Sequence, residues 1–231
     1  MPSIDAKTMG SKSNFLNTVV NWQILCNFAI HMTQFRTDIL TRPWHWLLRF
    51  RKRCGYGIHS PFAFGFVTGV IYEKGEYYAY SSLPKPEHGA GCDFRLKDLR
   101  LMFRVMNYQR PAVCLCLDGE GASLAGSVLQ YMQAGSLRTR MLAYEEWNMG
   151  TQVDMIFGIG HWEQHIERLI PHLSAGGMVV VHDICSTREH REAWSRLKGA
   201  EQSTVTFDLR DFGIVFCRPE LQRQDYVVNY F

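Results

Sequence analysis

The sequence has no cysteine pattern that would build a metal site or a disulfide framework. Its seven cysteines are odd in number, and no two of them have the Cys-x-x-Cys spacing of a zinc site or a redox motif. Cys114 and Cys116 lie in a short apolar run, where cysteine behaves as a small hydrophobic residue. The cysteine content favours a reducing compartment, and we therefore predict a cytoplasmic protein.

The chain also lacks a hydrophobic run long enough to cross a membrane. Residues 18–32 form an apolar stretch of about 15 residues that is interrupted by Asn21, Gln23, Asn27 and His31, whereas a span needs roughly 20 mostly apolar residues. A signal peptide would have a cationic start and a small-residue cleavage site, and neither is evident here. We expect a packing or surface helix and no membrane span.

A strong excess of one charge is absent from the chain as a whole, whose formal net charge is +3. Residues 1–60 hold 8 Lys/Arg against 2 Asp/Glu, and residues 61–231 hold 17 against 20. The basic cluster at 49–53 has aromatic neighbours, a pattern that suits nucleic acid, but such a cluster is more often a solvated helix face. Because the body is slightly acidic, we expect no nucleic-acid partner.

Disorder is excluded as the main state, because 46% of the 231 residues are hydrophobic and 13% are aromatic. This length fits one large domain, or one domain with an extra segment. We predict a leader at 1–42, either loose or helical, and a helical segment at 43–110. A Rossmann-like domain is predicted at 111–231.

The second half of the chain alternates between strand and helix patterns. A capping-box spacing at Ser186 and Glu189 marks the start of one helix. Continuous apolar strands between helices predict an α/β fold, with a mostly parallel sheet, helices on both faces and a closing antiparallel hairpin. The predicted helices are 93–108, 122–133, 161–173 and 187–198, and the predicted strands are 112–117, 140–144, 153–157, 178–181, 203–209 and 212–217.

The loop after the first predicted strand is a candidate ligand site, because open α/β sheets bind ligands beyond the carboxyl ends of their strands. It begins Asp118-Gly119-Glu120-Gly121, and its glycines would let the backbone approach a ligand. The alternative is a plain turn between strand and helix. Glu145 ends the second predicted strand, where a carboxylate can accept both hydroxyls of a ribose.

The segment HLSAGGMVVVHDI at 172–184 joins a helix end, a Gly-Gly turn and a buried strand that leads to Asp183. It resembles the class I S-adenosylmethionine-dependent methyltransferases, and the terminal hairpin looks like the closing pair of that fold. GIHSPFAF at 57–64 and HDICSTREHREAW at 182–194 are similar to a bacterial branch of the family. The resemblance spans roughly residues 43–231.

This resemblance implies S-adenosylmethionine as cofactor and methyl transfer to an oxygen or nitrogen of a small molecule. Asp118, Gly119, Gly121 and Glu145 would then bind the cofactor. The sequence departs from the family in its first motif, where Leu115 and Leu117 replace an acid and a glycine.

Two further departures concern the sheet and the metal. Only eight residues separate Glu145 from Asp154, so one strand–helix unit of the family is predicted to be missing. Residues 158–162, which follow VDMIF at 153–157, contain no carboxylate, and we therefore expect no metal site, which would need several oxygen ligands.

Three histidines complete the candidate site. His161 and His182 follow adjacent predicted strands, where a neutral imidazole can accept a substrate proton; with Asp183 they are the candidate catalytic residues. His59 is a candidate substrate-binding residue. For each histidine, the alternative is a structural bond to the backbone. The alternative for the whole chain is a catalytically inactive binding or interaction module.

Overall fold

The computed structural model describes residues 47, 55, 57–86, 94–118 and 126–230, without the side chain of Asp118. These residues belong, apart from Leu47, to a unit that spans Arg49–Tyr230, and a second unit comprises Met1–Leu48 and Phe231. The leader, the basic cluster at 49–53, Gly119 and Gly121 lie outside the described residues. Within the described part of the chain, no helix is both long and apolar enough to cross a membrane; residues 18–32 fall outside that part.

The predicted α/β fold with a closing hairpin is confirmed. A seven-stranded sheet has the order β2-β1-β3-β4-β6-β5-β7. Its first four strands are parallel, whereas β6 runs antiparallel to both β4 and β5. The strands are β1 Val113–Asp118, β2 Arg140–Ala143, β3 Val153–Ile159, β4 Leu173–His182, β5 Val205–Asp208, β6 Phe212–Cys217 and β7 Gln224–Val227.

Helices cover both faces of this sheet. One face packs against α1, α2 and α3 through Cys116, Phe157 and Val180, and the other packs against α4 and α5 through Leu117, Ile156 and Val181. Successive residues of each strand thus enter opposite cores, which explains the continuous apolar runs. The helices are α1 Pro61–Phe66, continued as a π-helix over Val67–Ile71, then α2 Leu96–Gln109, α3 Gly126–Gly135, α4 Ile166–Leu169 and α5 Arg188–Gly199.

One strand–helix unit is absent, as the sequence predicts. Between β2 and β3 the chain forms only a short 3-10 helix at Tyr144–Glu146, so β2 is an edge strand of the sheet. The opposite edge carries a strand that the sequence analysis did not predict, β7, which pairs in parallel with β5. It is held by contacts distant in sequence, such as the hydrogen bond from Thr206 Oγ1 to Asp225 Oδ1 at 2.6 Å.

The prediction of one continuous helix at 161–173 is wrong. The chain forms a 3-10 helix at Trp162–Gln164, the short α4, and a second 3-10 helix at Ile170–His172. Pro171 limits α4, because proline has no backbone N–H to continue the helical hydrogen bonds. The predicted Gly-Gly turn is instead an irregular part of β4, where the register with β3 shifts and Gly176 has a φ of +84°.

The amino end of α5 lies one residue later than the capping-box spacing indicates. Thr187 is the N-cap, and its Oγ1 accepts a hydrogen bond from the backbone N–H of His190 at 3.0 Å. Ser186 instead donates through its hydroxyl to the carbonyl of Asp183 at 2.8 Å. The helix therefore begins at Arg188.

This cap leads to a stability prediction. Replacing Thr187 by alanine should lower the free energy of unfolding by about 1 kcal/mol, because the N–H of His190 loses its partner. Chemical denaturation followed by circular dichroism measures the change. Thr187→Ser keeps the hydroxyl and should retain most of the stability; a loss as large as that of the alanine variant would contradict the role of the cap.

Candidate functional site

The strand order places a topological switch point at β1. In the sheet, β1 lies between β2 and β3. The chain therefore passes from β1 to β2 on one side and then crosses to β3 on the other side of β1. Open α/β sheets bind ligands beyond the carboxyl ends of their strands at such a point. We call this side of the molecule, formed by the carboxyl ends of β1–β4 and the amino end of β6, the carboxyl edge. Glu145, His161 and Asp183 follow three of these strands.

Asp183 occupies a strained position at the carboxyl edge. Its φ of 58° lies in the left-handed region, which asparagine and aspartate tolerate better than most residues. Its backbone N–H donates to the carbonyl of Asp211 at 2.6 Å, which ties the end of β4 to the hairpin turn. Its side chain is 52% exposed. This backbone conformation places a carboxylate at the surface of the edge. Backbone strain of this kind is concentrated at functional sites.

His182 lies behind Asp183 rather than in the open. Its ring is packed between Phe94 and Phe212, with centroid distances of 4.5 and 4.8 Å, and its side chain is 11% exposed. The Nδ1 atom lies 3.2 Å from Oδ2 of Asp183, although the two atoms lack hydrogen-bond alignment. His182 is therefore poorly placed to touch a substrate, contrary to the sequence hypothesis that it faces the ligand.

The surroundings of His182 favour its charged form. Burial by itself lowers the pKa of this imidazole, but the negative charges of Asp183, Asp98 and Asp211 outweigh burial and raise its pKa above the ordinary value. The charge of His182 in turn stabilises the ionised carboxylate of Asp183. The structure thus brings these two predicted residues together as a pair, with the carboxylate outward.

A second ion-pair group fixes the wall next to Asp183. Nε of Arg95 lies 2.7 Å from Oδ2 of Asp98, and its Nη2 lies 2.5 Å from Oδ2 of Asp211. Asp98 also accepts from the backbone N–H of Arg95 at 3.1 Å, closing the first turn of α2. The sequence analysis missed all three residues. Arg95 and Asp98 have a helix-start spacing, but Asp211 is 116 residues from Arg95.

His161 and Glu163 form the part of the edge that follows β3. The side chain of His161 is 62% exposed, and its Nδ1 lies 3.4 Å from Oε1 of Glu163. The side chain of Glu163 is mostly buried, and its other oxygen, Oε2, lies 3.0 Å from Nε2 of His190 without hydrogen-bond alignment. His161 is thus the one of the three candidate histidines that is solvent-accessible at the carboxyl edge.

His190, a buried residue of α5 that the sequence analysis missed, joins the loops after β3 and β4. Its Nε2 lies 2.9 Å from the carbonyl oxygen of Gly160, and its Nδ1 lies 2.7 Å from Oγ of Ser186 and 2.9 Å from the carbonyl oxygen of Asp183. Its ring also stacks on Trp162 at 5.2 Å. Both ring nitrogens of His190 contact groups of the protein itself, so this residue positions the loops that follow β3 and β4.

Glu145 lies in the 3-10 helix after β2, with its side chain exposed. Pairing of Cys116 with Ala143 brings this helix beside the end of β1. Within the described residues no hydrogen bond or ion pair occupies its carboxylate. Leu115 and Leu117, which replace family motif residues, are buried in the core between the sheet and α4–α5.

His59 is not brought to the carboxyl edge. It lies two residues before α1, whose Phe62 ring contacts Phe216 at a centroid distance of 5.0 Å. Phe216 pairs with Met178 near the middle of β4, whereas Phe212 pairs with His182 at its carboxyl end. The amino end of α1 also lies near Arg218, whose guanidinium is 5.2 Å from the Phe62 ring. His59 thus lies toward the opposite side of the sheet.

Ser60, one residue after His59, has a structural role. It is the N-cap of α1 and accepts from the N–H of Ala63 at 3.4 Å. Among the described residues, no group of three or more His, Cys, Asp or Glu side chains is arranged to hold a metal ion.

The chain is similar to several solved structures. An O-methyltransferase from Bacillus cereus in complex with SAH is 9% identical, and the match covers 60% of this chain and 86% of that chain with a TM-score of 0.42. The O-methyltransferase TomG from Streptomyces achromogenes, in complex with SAM, is 10% identical over 61% and 86% of the two chains, with a TM-score of 0.42. Cofactor-bound Rv0187 from MTB is 9% identical over 71% and 93%, also with a TM-score of 0.42. No protein-family model and no curated protein matches the sequence.

Proposed function

We propose that the carboxyl edge binds S-adenosylmethionine and supports methyl transfer to an oxygen or nitrogen of a small molecule. The observation that carries the proposal is the pair of exposed acids, Glu145 and Asp183, at the ends of strands on opposite sides of β1. A switch point with carboxylates suits a ligand rich in hydroxyl and amino groups, such as a nucleoside with an amino-acid tail.

The acids and glycines at this edge are residue types that suit the polar groups of the cofactor. Glu145 would accept the ribose hydroxyls, because its carboxylate is exposed and has no partner among the described residues. Asp118, at the end of β1, would interact with the amino-acid part together with Gly119 and Gly121. Leu115 and Leu117 are buried in the core between the sheet and α4–α5, so their side chains do not lie at the surface of the edge.

Asp183 would act on the acceptor. The cofactor supplies an electrophilic methyl group, so the protein has mainly to position the acceptor and to take up the proton that it loses. The half-exposed carboxylate of Asp183 can accept that proton or hold the attacking hydroxyl or amine. His182 positions Asp183 from behind, and His161 would flank the acceptor from the loop after β3.

The remaining expectations follow from the same proposal. The domain division at 42/43 and 110/111, a bacterial origin and a cytoplasmic location stay predictions of the sequence. A small-molecule acceptor also suits the charge of the body, since residues 61–231 hold 17 Lys/Arg against 20 Asp/Glu and a nucleic-acid surface would be basic.

Calorimetry with S-adenosylhomocysteine tests the cofactor site. The wild-type protein should bind, and Glu145→Ala should weaken binding by about 1–3 kcal/mol, the scale of hydrogen bonds to a charged acceptor. The neighbouring Glu146→Ala also removes an exposed negative charge and should leave the affinity unchanged. An equal loss in both variants would indicate a general charge effect and would contradict the role of Glu145.

The alternative is a catalytically inactive module that keeps the fold. The missing strand–helix unit after β2 and the leucines in the first motif favour it. The same calorimetry separates the two functions: no heat with S-adenosylmethionine or S-adenosylhomocysteine at millimolar concentration would support the inactive module and exclude the methyltransferase.

A further inference from the structure

The mostly buried carboxylate of Glu163 lies between two histidines at the carboxyl edge. Its Oε1 lies 3.4 Å from Nδ1 of His161, in a contact with hydrogen-bond geometry. Its Oε2 lies 3.0 Å from Nε2 of His190. An ionised carboxylate can only accept hydrogen bonds, so Nδ1 of His161 is the donor in the first contact and carries a proton.

His190 holds Glu163 in this position. Nε2 of His190 lies 2.9 Å from the carbonyl oxygen of Gly160, which can only accept, so Nε2 carries a proton and attracts the carboxylate beside it. The buried ring of His190 stacks on Trp162, and this contact fixes its plane. One oxygen of Glu163 is therefore held by His190, and the other is left to orient His161.

The orientation of His161 makes it a hydrogen-bond acceptor toward a ligand. A neutral imidazole has one N–H and one lone pair. With the proton on Nδ1, the lone pair lies on Nε2, at the far side of the ring from Glu163. Because the side chain of His161 is exposed, Nε2 is the nitrogen that it offers at the carboxyl edge.

Asp183 provides a second acceptor at the neighbouring strand end. Gly158 of β3 pairs with Val181 of β4, and His161 and Asp183 follow this pair by three and two residues. His190 joins the two loops, because its Nδ1 also lies 2.9 Å from the carbonyl oxygen of Asp183. The carboxylate of Asp183 is half exposed. Two hydrogen-bond acceptors therefore follow adjacent strands at the same level of the sheet.

We propose that the methyl acceptor is a primary amine, whose two N–H groups donate to Nε2 of His161 and to the carboxylate of Asp183. This inference rests on the proposed function, which places the acceptor at the carboxyl edge. An amine nitrogen with two hydrogens can satisfy both groups and still direct its lone pair at the methyl group. A hydroxyl has one hydrogen, so it would cover one of the two acceptors without giving it a hydrogen bond, which costs binding free energy.

The transfer balances with these groups. The amine binds in its neutral form, having left any extra proton in water. Its lone pair forms the bond to the methyl carbon while the bond from that carbon to sulfur breaks, and the electron pair of the broken bond stays on the sulfur of S-adenosylhomocysteine. The nitrogen is then positively charged and faces the negative carboxylate of Asp183. One of its two protons passes to Asp183, and the hydrogen bond to His161 holds the other.

Pairs of acceptors that differ only in the attacking group test this proposal. Transfer of a labelled methyl group from S-adenosylmethionine is measured for aniline against phenol and for benzylamine against benzyl alcohol. The amine of a pair should be methylated at least about tenfold faster, because a site that binds a substrate N–H discriminates against an analogue without it. A hydroxyl compound methylated as fast as its amine partner, or no methylated amine, would overturn the proposal.

Calorimetry with S-adenosylhomocysteine separates this inference from the proposed function. Binding of S-adenosylhomocysteine by a protein that methylates no amine would overturn the amine acceptor and leave the cofactor site standing. No binding at millimolar concentration would remove the proposed function itself, and the amine acceptor with it.

The orientation of His161 has a test that needs no substrate. At about pH 9, where an ordinary imidazole is neutral, the NMR shifts of its two ring nitrogens should show the proton on Nδ1 in the wild-type protein. Glu163→Gln places an amide beside Nδ1 that can donate to it, so the proton should move to Nε2. Methylation of the amine should then fall about tenfold, as expected when a positioned acceptor becomes a donor.

Glu167→Gln is the matched control for this variant. Glu167 lies four residues further along the chain and pairs with Arg196 at the surface, so its replacement should change neither the shifts of His161 nor the rate. A wild-type His161 with its proton on Nε2, or a Glu163→Gln variant with unchanged nitrogen shifts, would overturn the role of Glu163 and the two-acceptor site that depends on it.

Discussion

Replacing Asp183 by asparagine should lower the rate of methyl transfer about 10²-fold or more, the range of losing a positioned acid–base group. Asparagine has nearly the shape of aspartate and tolerates the left-handed region, so the φ of 58° at this position can be kept. What is lost is the negative charge and the ability to take the acceptor's proton. Transfer of a labelled methyl group from S-adenosylmethionine to a panel of phenols and amines measures the rate.

Two controls distinguish catalysis from folding at this position. Asp183→Gly removes the carboxylate but relieves the backbone strain, so it should lose activity while its melting temperature does not fall. Affinity for S-adenosylhomocysteine should stay near the wild-type value in both variants, because we propose that Glu145 and not Asp183 binds the cofactor. Full activity in Asp183→Asn would show that the carboxylate takes no part in the reaction.

The sheet was predictable because its signal is local. Each parallel strand is a short apolar run bounded by turn residues, as in Val153–Ile159, and burial on both faces requires such a run. The absence of a strand–helix unit after β2 could be predicted because only eight residues separate Glu145 from Asp154 in the sequence. In contrast, β7 has a weak pattern of its own and depends on distant partners such as Thr206.

The candidate site was predictable only in part. The positions of Asp183 and Glu145 at the carboxyl edge could be predicted because each comes within two residues of a strand end, and strand ends can be identified from the sequence. His190 and Glu163 belong to different elements, and they meet only when α5 packs beside the loop after β3. No local pattern encodes such a contact. His59 is the opposite case. The motif that contains it resembles a family feature, but the motif does not indicate at which end of the sheet His59 lies.

The packing beneath the carboxyl edge depends on the absence of a side chain at Gly158. A Cβ at this position would lie 2.6 Å from Cβ of Trp162 and 3.2 Å from Cγ1 of Val181. Trp162 is fully buried, and its Nε1 donates to the carbonyl of His182 at 2.8 Å. The tryptophan that follows β3 therefore lies directly against the strand and links it to the end of β4.

We accordingly expect Gly158→Ala to lower the free energy of unfolding by about 2–4 kcal/mol, because a fully packed core cannot absorb the added methyl and the indole hydrogen bond is strained as well. Chemical denaturation followed by tryptophan fluorescence measures it. Gly199→Ala, at the end of α5, meets no atom within 4 Å and should be neutral or slightly stabilising. If the two variants unfolded at the same denaturant concentration, Trp162 would not be held against β3 as described.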